Sequence, residues 1–390
     1  MSNATVPEVA GQGLTSCGLL LDALDVLMFR HARPFGQAAS AESHTAPFPQ
    51  TVFGAVTTAL LQALGCPWER FVEALRQEGT GFADALVQVG LPAELAGVRT
   101  RGPWLVRSDP DSDAAEDLEM LFPPPADLRR SKDDPAQIVA LSPVDPPEIP
   151  GWESTRAAAS GLAPLWHTSR QRLTALDNWL THRGIAAYLA GQIPQPEDLV
   201  DPRQLWAIDR RTGIGVQSDR GTANEGLIYS ASFLTLNQDR SGRRSTRFYI
   251  EVDLPQELQP GGWPAQVPAL PLGGEGRYVA ITPLASAWDW SALEPKQRER
   301  SRLLLTTPVL LEQPPIPKAL SGSVQAVAMQ SSRPVSGWDL ARGGPKPSRQ
   351  AIMPGTVWYL NRFPVRLPDL LADDAWHCQQ GWGGYLRGVW

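Results

Sequence analysis

The chain has 390 residues, 42% of them hydrophobic, and a formal net charge of −6 at pH 7. That length suits two domains sharing a sizeable core. No apolar run approaches the roughly 18 residues of a membrane-spanning helix and no signal peptide opens the chain, so a membrane location is excluded and the cytoplasm is the expected address. Cys17, Cys66 and Cys378 are odd in number and far apart, and the five histidines lack metal-ligand spacing, so neither a disulfide framework nor a metal or other cofactor is expected.

In chain order, GLTSCGLLLDAL (13–24) reads as a strand that runs into an apolar and then basic loop, LDVLMFRHARPFGQ (24–37), holding Arg30, His31, Arg33 and Pro34. The stretch 47–65 predicts an amphipathic helix. Pro49 stands at its start, Val52, Phe53, Val56, Ala59 and Leu60 recur at three- and four-residue spacing, and Gly65 ends it. PWERFVEALRQ and GFADALVQVG predict two short helices, and VRTRGPWLVR (98–107) a strand. The acidic, proline-rich segment that follows predicts a surface loop, an insertion over about 108–135.

Residues 142–165, rich in Pro, Gly and Ser, predict a linker between an N-terminal domain of residues 1–165 and a C-terminal domain of residues 166–390. TALDNWLTHRGIAAYLAGQ (174–192) has helical periodicity. GLIYSASFLTL (226–236) and RFYIEVDL (247–254) predict a long β-hairpin over about 226–254 with a basic tip. Further strands are expected at 277–284, 302–311, 323–330 and 355–360. Strands in runs with scattered helices predict an α+β fold.

The charge is segregated. Residues 203–247 hold eight arginines against four acids, whereas 109–134 hold nine acids against three bases. Arginine presents a planar fork to phosphates and a face to bases, so the basic half fits a nucleic-acid partner despite the net negative charge. Three glycine clusters, TGIGVQ (212–217), LGGEGR (272–277) and GWGGYLRG (381–388), lack the G-K-[ST] of a phosphate loop. Each lies beside arginine, so each is a candidate phosphate cradle or a tight turn. His31 and His44 are the residues on which metal-independent RNA cleavage would rest. Trp288 and Trp290 with Asp289 and Glu294 would serve a carbohydrate-active protein, although core packing suits these tryptophans better.

LDVLMFRHARPF, FPQTVFGAV, TGIGV with TANEGLIYSASFL, LGGEGR, SGWDLARGGPKPSRQAIMPGTVWYL and the C-terminal GWGGYLRGVW occur in that order. Together they resemble the RAMP subunit of the type III-B CRISPR (Cmr) effector complex that binds the 5′ tag of the crRNA. The resemblance implies two ferredoxin-like (RRM-like) modules, a Gly-rich C-terminal loop near the RNA-binding face, and no catalytic site. It also implies docking on the large polymerase-like subunit and on a backbone RAMP subunit, with target RNA met only indirectly. The residues expected on RNA are Arg30, His31, Arg33, Arg210, Arg211, Arg240, Arg243, Arg244, Arg247, Gly273, Gly274, Arg277, Arg349 and Arg387. Gly381, Gly383, Gly384 and Gly388 form the C-terminal glycine loop.

Overall fold

The computed structural model describes residues 14–30, 40–41, 43–109, 111–112, 114–144, 161–168, 171–216, 223–237, 244–255, 267–293, 300–339, 343–362 and 366–390. The main elements in chain order are β1 (Leu14–Ala23), α1 (Pro49–Ala63), α2 (Trp68–Arg76), α3 (Phe82–Gln88), β2 (Arg99–Ser108), β3 (Glu119–Phe122), β4 (Trp179–Thr181) and α4 (His182–Leu189). They continue with β5 (Leu199–Val200), β6 (Trp206–Val216), β7 (Ala223–Leu236), β8 (Ser245–Pro255), β9 (Ala269–Pro271), β10 (Tyr278–Pro283), β11 (Ser301–Leu305), β12 (Val324–Ala328), β13 (Val357–Leu360), α5 (Ala375–Gln379) and β14 (Tyr385–Val389). The fold is α+β. Among the described residues no helix is long and apolar enough to cross a membrane.

An eight-stranded sheet forms the centre, in the order β5-β4-β3-β2-β8-β1-β10-β9. Its core, β2-β8-β1-β10, has antiparallel neighbours throughout. Alternate residues of β1 and β8 serve two different cores, as the two-residue period of a strand requires. Leu19, Leu21, Phe248, Ile250, Val252 and Leu254 pack under α1, α2 and α3. Leu20 and Tyr249 face the opposite way, into a core completed by α4 and by β11, β12 and β13. Those last three strands belong to a second, four-stranded antiparallel sheet, β12-β13-β11-β14.

α1 forms where its periodicity predicts. Pro49 occupies the first turn, where its missing N–H is no loss. Gly65 ends the helix at φ +70°, and the N–H groups of Gly65 and Cys66 return to the carbonyls of Gln62 and Leu61. This is the paired closure that a glycine just past a helix end permits. The expected helix over 174–192 is shorter: Trp179–Thr181 join the sheet, and the Thr181 hydroxyl accepts the Gly184 N–H at 3.3 Å to start α4 only at His182. The acidic insertion is not all surface loop. Glu119–Phe122 are β3, with Met120, Leu121 and Phe122 buried.

Two larger expectations are corrected. The boundary near residue 165 does not divide the fold, because β1 pairs with β8 and β10 from the far side of it. The predicted hairpin of 226–236 with 247–254 does not form either. β7 pairs with β6 along an antiparallel ladder from Trp206 opposite Leu236, while β8 inserts between β1 and β2. Every residue of β8 is buried, which suits the middle of a two-sided sheet and not a projecting hairpin.

The second sheet is tied to α4 and to the segment after β3 through a buried polar cluster. Asp127 is fully buried, and its carboxylate accepts from the Tyr188 hydroxyl at 2.9 Å and from the Tyr359 hydroxyl. Arg302 lies 3.4 Å from the Asp127 Oδ2, donates to the Tyr188 carbonyl, and sits 3.6 Å above the Tyr188 ring. Burial pushes the Tyr188 hydroxyl pKa well above its ordinary value, so the tyrosine is a donor at any physiological pH. Removing one partner of a buried ion pair leaves the other uncompensated, at a cost of about 3–5 kcal/mol. Asp127→Ala is therefore expected to lower stability by about that amount in denaturant titration, and an unchanged midpoint would contradict this account.

Candidate nucleic-acid interface

The strand registers bring distant segments to one end of the central sheet. Ala23 lies opposite Val279, Leu21 opposite Phe248, and Ser108 opposite Ser245. The loop after β1, the end of β2, and the starts of β8 and β10 thus share one edge. Arg30, Arg244 and Arg277 are carried there.

The link between the first loop and the LGGEGR turn is tight. The turn closes by the Leu272 N–H on the Arg277 carbonyl at 2.9 Å, and the Gly274 N–H donates to the Met28 carbonyl at 2.8 Å. Gly273 has φ +85°, and a Cβ on it would overlap the Met28 carbonyl and the Phe29 ring. Glycine is needed here for close approach to a neighbouring chain segment. Its partner is the loop base rather than a phosphate.

Phe233, on β7, is the hub of this face. It packs with Val26 and Met28 at the base of the first loop. The Arg211 guanidinium carbon lies 4.9 Å from the Phe233 ring centroid and that of Arg277 lies 5.0 Å from it, both within cation–π range. Asp209 stands directly opposite Phe233 in the β6–β7 ladder, and Arg211 is two residues further along the same face. Arg210, opposite Ser232, therefore points to the other face of this hairpin.

Each of the three arginines meets a carboxylate. Arg30 Nη2 is 3.1 Å from Glu275 Oε1, Arg211 Nε is 2.8 Å from Asp209 Oδ2, and Arg277 Nη1 is 2.5 Å from Asp25 Oδ2. The Arg30 and Arg211 side chains are each 46% exposed, whereas Arg277 is 23% exposed. Arg30 and Arg211 thus present their heads to solvent, while Arg277 mainly braces Phe233 and the first loop.

The other expected residues divide. His31, Arg33, Arg240 and Arg243 lie outside the described residues. Arg244 is exposed at the same sheet edge, 3.7 Å from Glu119. Arg247 is a correction: it lies within β8, 1% exposed, opposite Val106 of β2, and donates to the Asp109 carbonyl. Burial pulls its guanidinium pKa below the ordinary value, and Asp22 opposes that shift. It is an internal brace. Arg349 pairs with Asp374 at 3.8 Å, and Arg387 is exposed on β14; both stand on the C-terminal part of the chain.

The C-terminal glycines are also corrected as a phosphate cradle. The N–H groups of Gly381, Gly383 and Gly384 donate to the Cys378 carbonyl, the Pro308 carbonyl and the Thr307 hydroxyl. A Cβ on Gly381 would lie 2.7 Å from the Thr100 carbonyl, one on Gly383 2.6 Å from the Ala372 nitrogen, and one on Gly388 3.0 Å from Leu189. These glycines let backbones pack closely. Thr100 is at the start of β2 and Ser108 at its end, so the glycine loop stands roughly 26 Å of strand away from the arginine face.

His44 is buried, with Nδ1 3.1 Å from Arg333 Nη1 and its ring edge-on to Phe48, beside a cavity of about 190 Å³. Trp288 is buried against Trp290, whose indole N–H donates to Glu251, so this pair packs the second core. Glu294 lies outside the described residues. No three His, Cys, Asp or Glu side chains among the described residues converge closely enough to hold a metal ion. Sequence reasoning missed Phe233, Asp25, Asp209 and Glu275. The only local signal was Glu275, set within the glycine turn that was already singled out.

The family model for CRISPR-associated protein (Cas_Cmr3) matches residues 19–390. A search of curated proteins finds no match. Among solved structures, a chain of the type III-B Cmr-beta complex bound to cognate target RNA is 17% identical over 88% of this chain and 86% of that one, with a TM-score of 0.46. A chain of the Csm3-Csm4 subcomplex from the type III-A interference complex is 10% identical over 90% of this chain and 95% of that one, with a TM-score of 0.38. By the match that spans nearly its whole length, the chain belongs to the Cas_Cmr3 family of CRISPR-associated proteins.

Proposed function

We propose that this chain is a non-catalytic RNA-binding subunit of a type III-B CRISPR effector complex. In this reading it holds the 5′ tag of the crRNA and docks the large polymerase-like subunit and a backbone RAMP subunit. The observation that carries it is the meeting of Arg211 and Arg277 over Phe233, with Arg30 held by Glu275 of the turn that carries Arg277, from three segments far apart in sequence. A single-stranded tag is gripped by cations that follow its phosphates, and a flat guanidinium with an exposed head suits that task. The buried His44, engaged by Arg333, supports a structural rather than an acid–base role for that residue.

Two ferredoxin-like modules belong to the same proposal, and the strand orders support them. Numbered by occurrence within each sheet, β2-β8-β1-β10 and β12-β13-β11-β14 both run 2-3-1-4 with antiparallel neighbours. That is the order of a split β-α-β unit, in which strands 1 and 2 run parallel with strand 3 between them. The first module would then comprise residues from both ends of the first 283, with 109–236 as inserted material.

Charge reversal tests the face. Arg30→Glu and Arg211→Glu, assembled with the large subunit, are each expected to weaken tag-RNA binding about ten-fold at low salt and to flatten the salt dependence by roughly 0.7 in log–log slope. Arg210→Glu, on the opposite face of the hairpin, is expected to have a smaller effect. Scrambling the tag sequence should lower affinity for the assembled complex, as read by fluorescence anisotropy. Unchanged binding by both Arg30→Glu and Arg211→Glu would defeat the proposal.

A further inference from the structure

The arginines of this face do not stand as bare cations. Glu275, Asp209 and Asp25 each lie against one of them, so three positive charges are matched by three negative ones. These partners come from different parts of the fold: Glu275 from the turn before β10, Asp209 from β6, and Asp25 from the loop after β1. Two of the three pairs are largely solvent-exposed, with side-chain exposures of 46% and 48% for Arg30 and Glu275, and 46% and 40% for Arg211 and Asp209. Exposed ion pairs are weak and readily exchanged.

Glu275 carries a second mark. Its φ is +60°, and it is the one non-glycine residue with positive φ among those described. A side chain rarely adopts that region, and Glu lacks the short polar arm that eases Asn or Asp into it. The turn already uses Gly273, Gly274 and Gly276 around it. A strained backbone residue maintained at a candidate site points to a function for its side chain. The only ion pair that the Glu275 side chain makes among the described residues is with Arg30.

We propose that Glu275 and Asp209 occupy, in the free protein, the positions that phosphates take when RNA is loaded, so that loading is an exchange of carboxylates for phosphodiesters on Arg30 and Arg211. This rests on the reading of the face as an RNA-binding surface. The exchange has two physical consequences. The carboxylates keep the guanidinium groups extended and oriented, which lowers the ordering cost on binding. They also neutralise the face, so that a stray nucleic acid gains little by touching it, whereas a strand that engages several arginines together displaces them. Asp25 differs: its arginine is mostly buried under Phe233, and it serves as a permanent partner.

Glu275→Gln and Asp209→Asn, made in the full-length chain, test this by anisotropy with a labelled single-stranded oligoribonucleotide carrying the tag and with a scrambled one of equal length. Each variant is expected to bind both RNAs roughly two- to five-fold more tightly at 0.1 M salt, because a competing carboxylate of exposed-pair strength has been removed. The double variant is expected to gain the product of the two factors on both RNAs. Unchanged or weaker binding by both acid variants, with binding still lost in Arg30→Glu and Arg211→Glu, overturns the exchange and leaves the RNA-binding face intact. Binding unaffected by the arginine reversals overturns the face and the exchange together.

Discussion

The architecture depends on β8. Its eleven residues have β1 on one edge and β2 on the other, helices on one face and the second sheet on the other, so all of them are withdrawn from water. Apolar residues meet that demand on the helix side. On the opposite side polar groups must be satisfied internally, because a buried polar group without a partner is costly. Glu251 accepts from the Tyr249 hydroxyl at 3.0 Å and from the Trp290 indole at 2.5 Å, with Arg101 at 3.5 Å, and burial pushes its carboxyl pKa upward against those contacts. Arg247 donates to the Asp109 carbonyl, and the charge of Asp22 opposes the downward shift that burial imposes on its pKa. A strand so enclosed positions everything beside it, including the edge from which the arginine face projects.

The face itself is built by packing first and charge second. Gly273 allows the turn to touch the base of the first loop, Phe233 wedges against Val26 and Met28, and on that base Arg211 and Arg277 meet over one ring while Glu275 of the same turn holds Arg30. Their separation in sequence is bridged by strand register, not by a contiguous basic motif. This explains how an acidic protein gathers arginine side chains, each beside a carboxylate, at one end of its sheet. It also explains why the glycine-rich C-terminus, with comparable composition, does something different: its N–H groups are consumed internally, and it packs against the start of β2 and the segment after β11.

Local physics was legible in the sequence and long-range pairing was not. α1, α2, α3 and β2 lie where periodicity and capping residues place them, because those signals act within a few residues. The misplaced hairpin shows the limit. GLIYSASFLTL and RFYIEVDL both have strand composition and adjoin in sequence, and the charges at Arg247, Glu251 and Asp253 hide the continuous burial that marks the second as a central strand. Arg247 was misjudged for the same reason, since its neighbours in sequence are basic while its neighbours in space are the interior of the sheet. Arg30, Arg211 and Arg277 were recognisable individually from their glycine or loop context. Their convergence, and the carboxylates opposite them, required the register.

The pairing of β1 with β8 also governs how the protein can be made. Leu14 lies opposite Pro255, and both neighbours of β1 in the sheet are synthesised more than 200 residues after it. At ordinary elongation speeds of about 5–20 residues per second, that interval is on the order of 10–50 s. Throughout it, a ten-residue strand carrying the consecutive Leu19, Leu20 and Leu21 leaves the ribosome with neither edge paired. α1, α2 and α3 are complete before then and can shelter only one side of it. Closure of the sheet is therefore a late event of translation, and the emerging chain meets the cell's chaperones with its first strand still waiting.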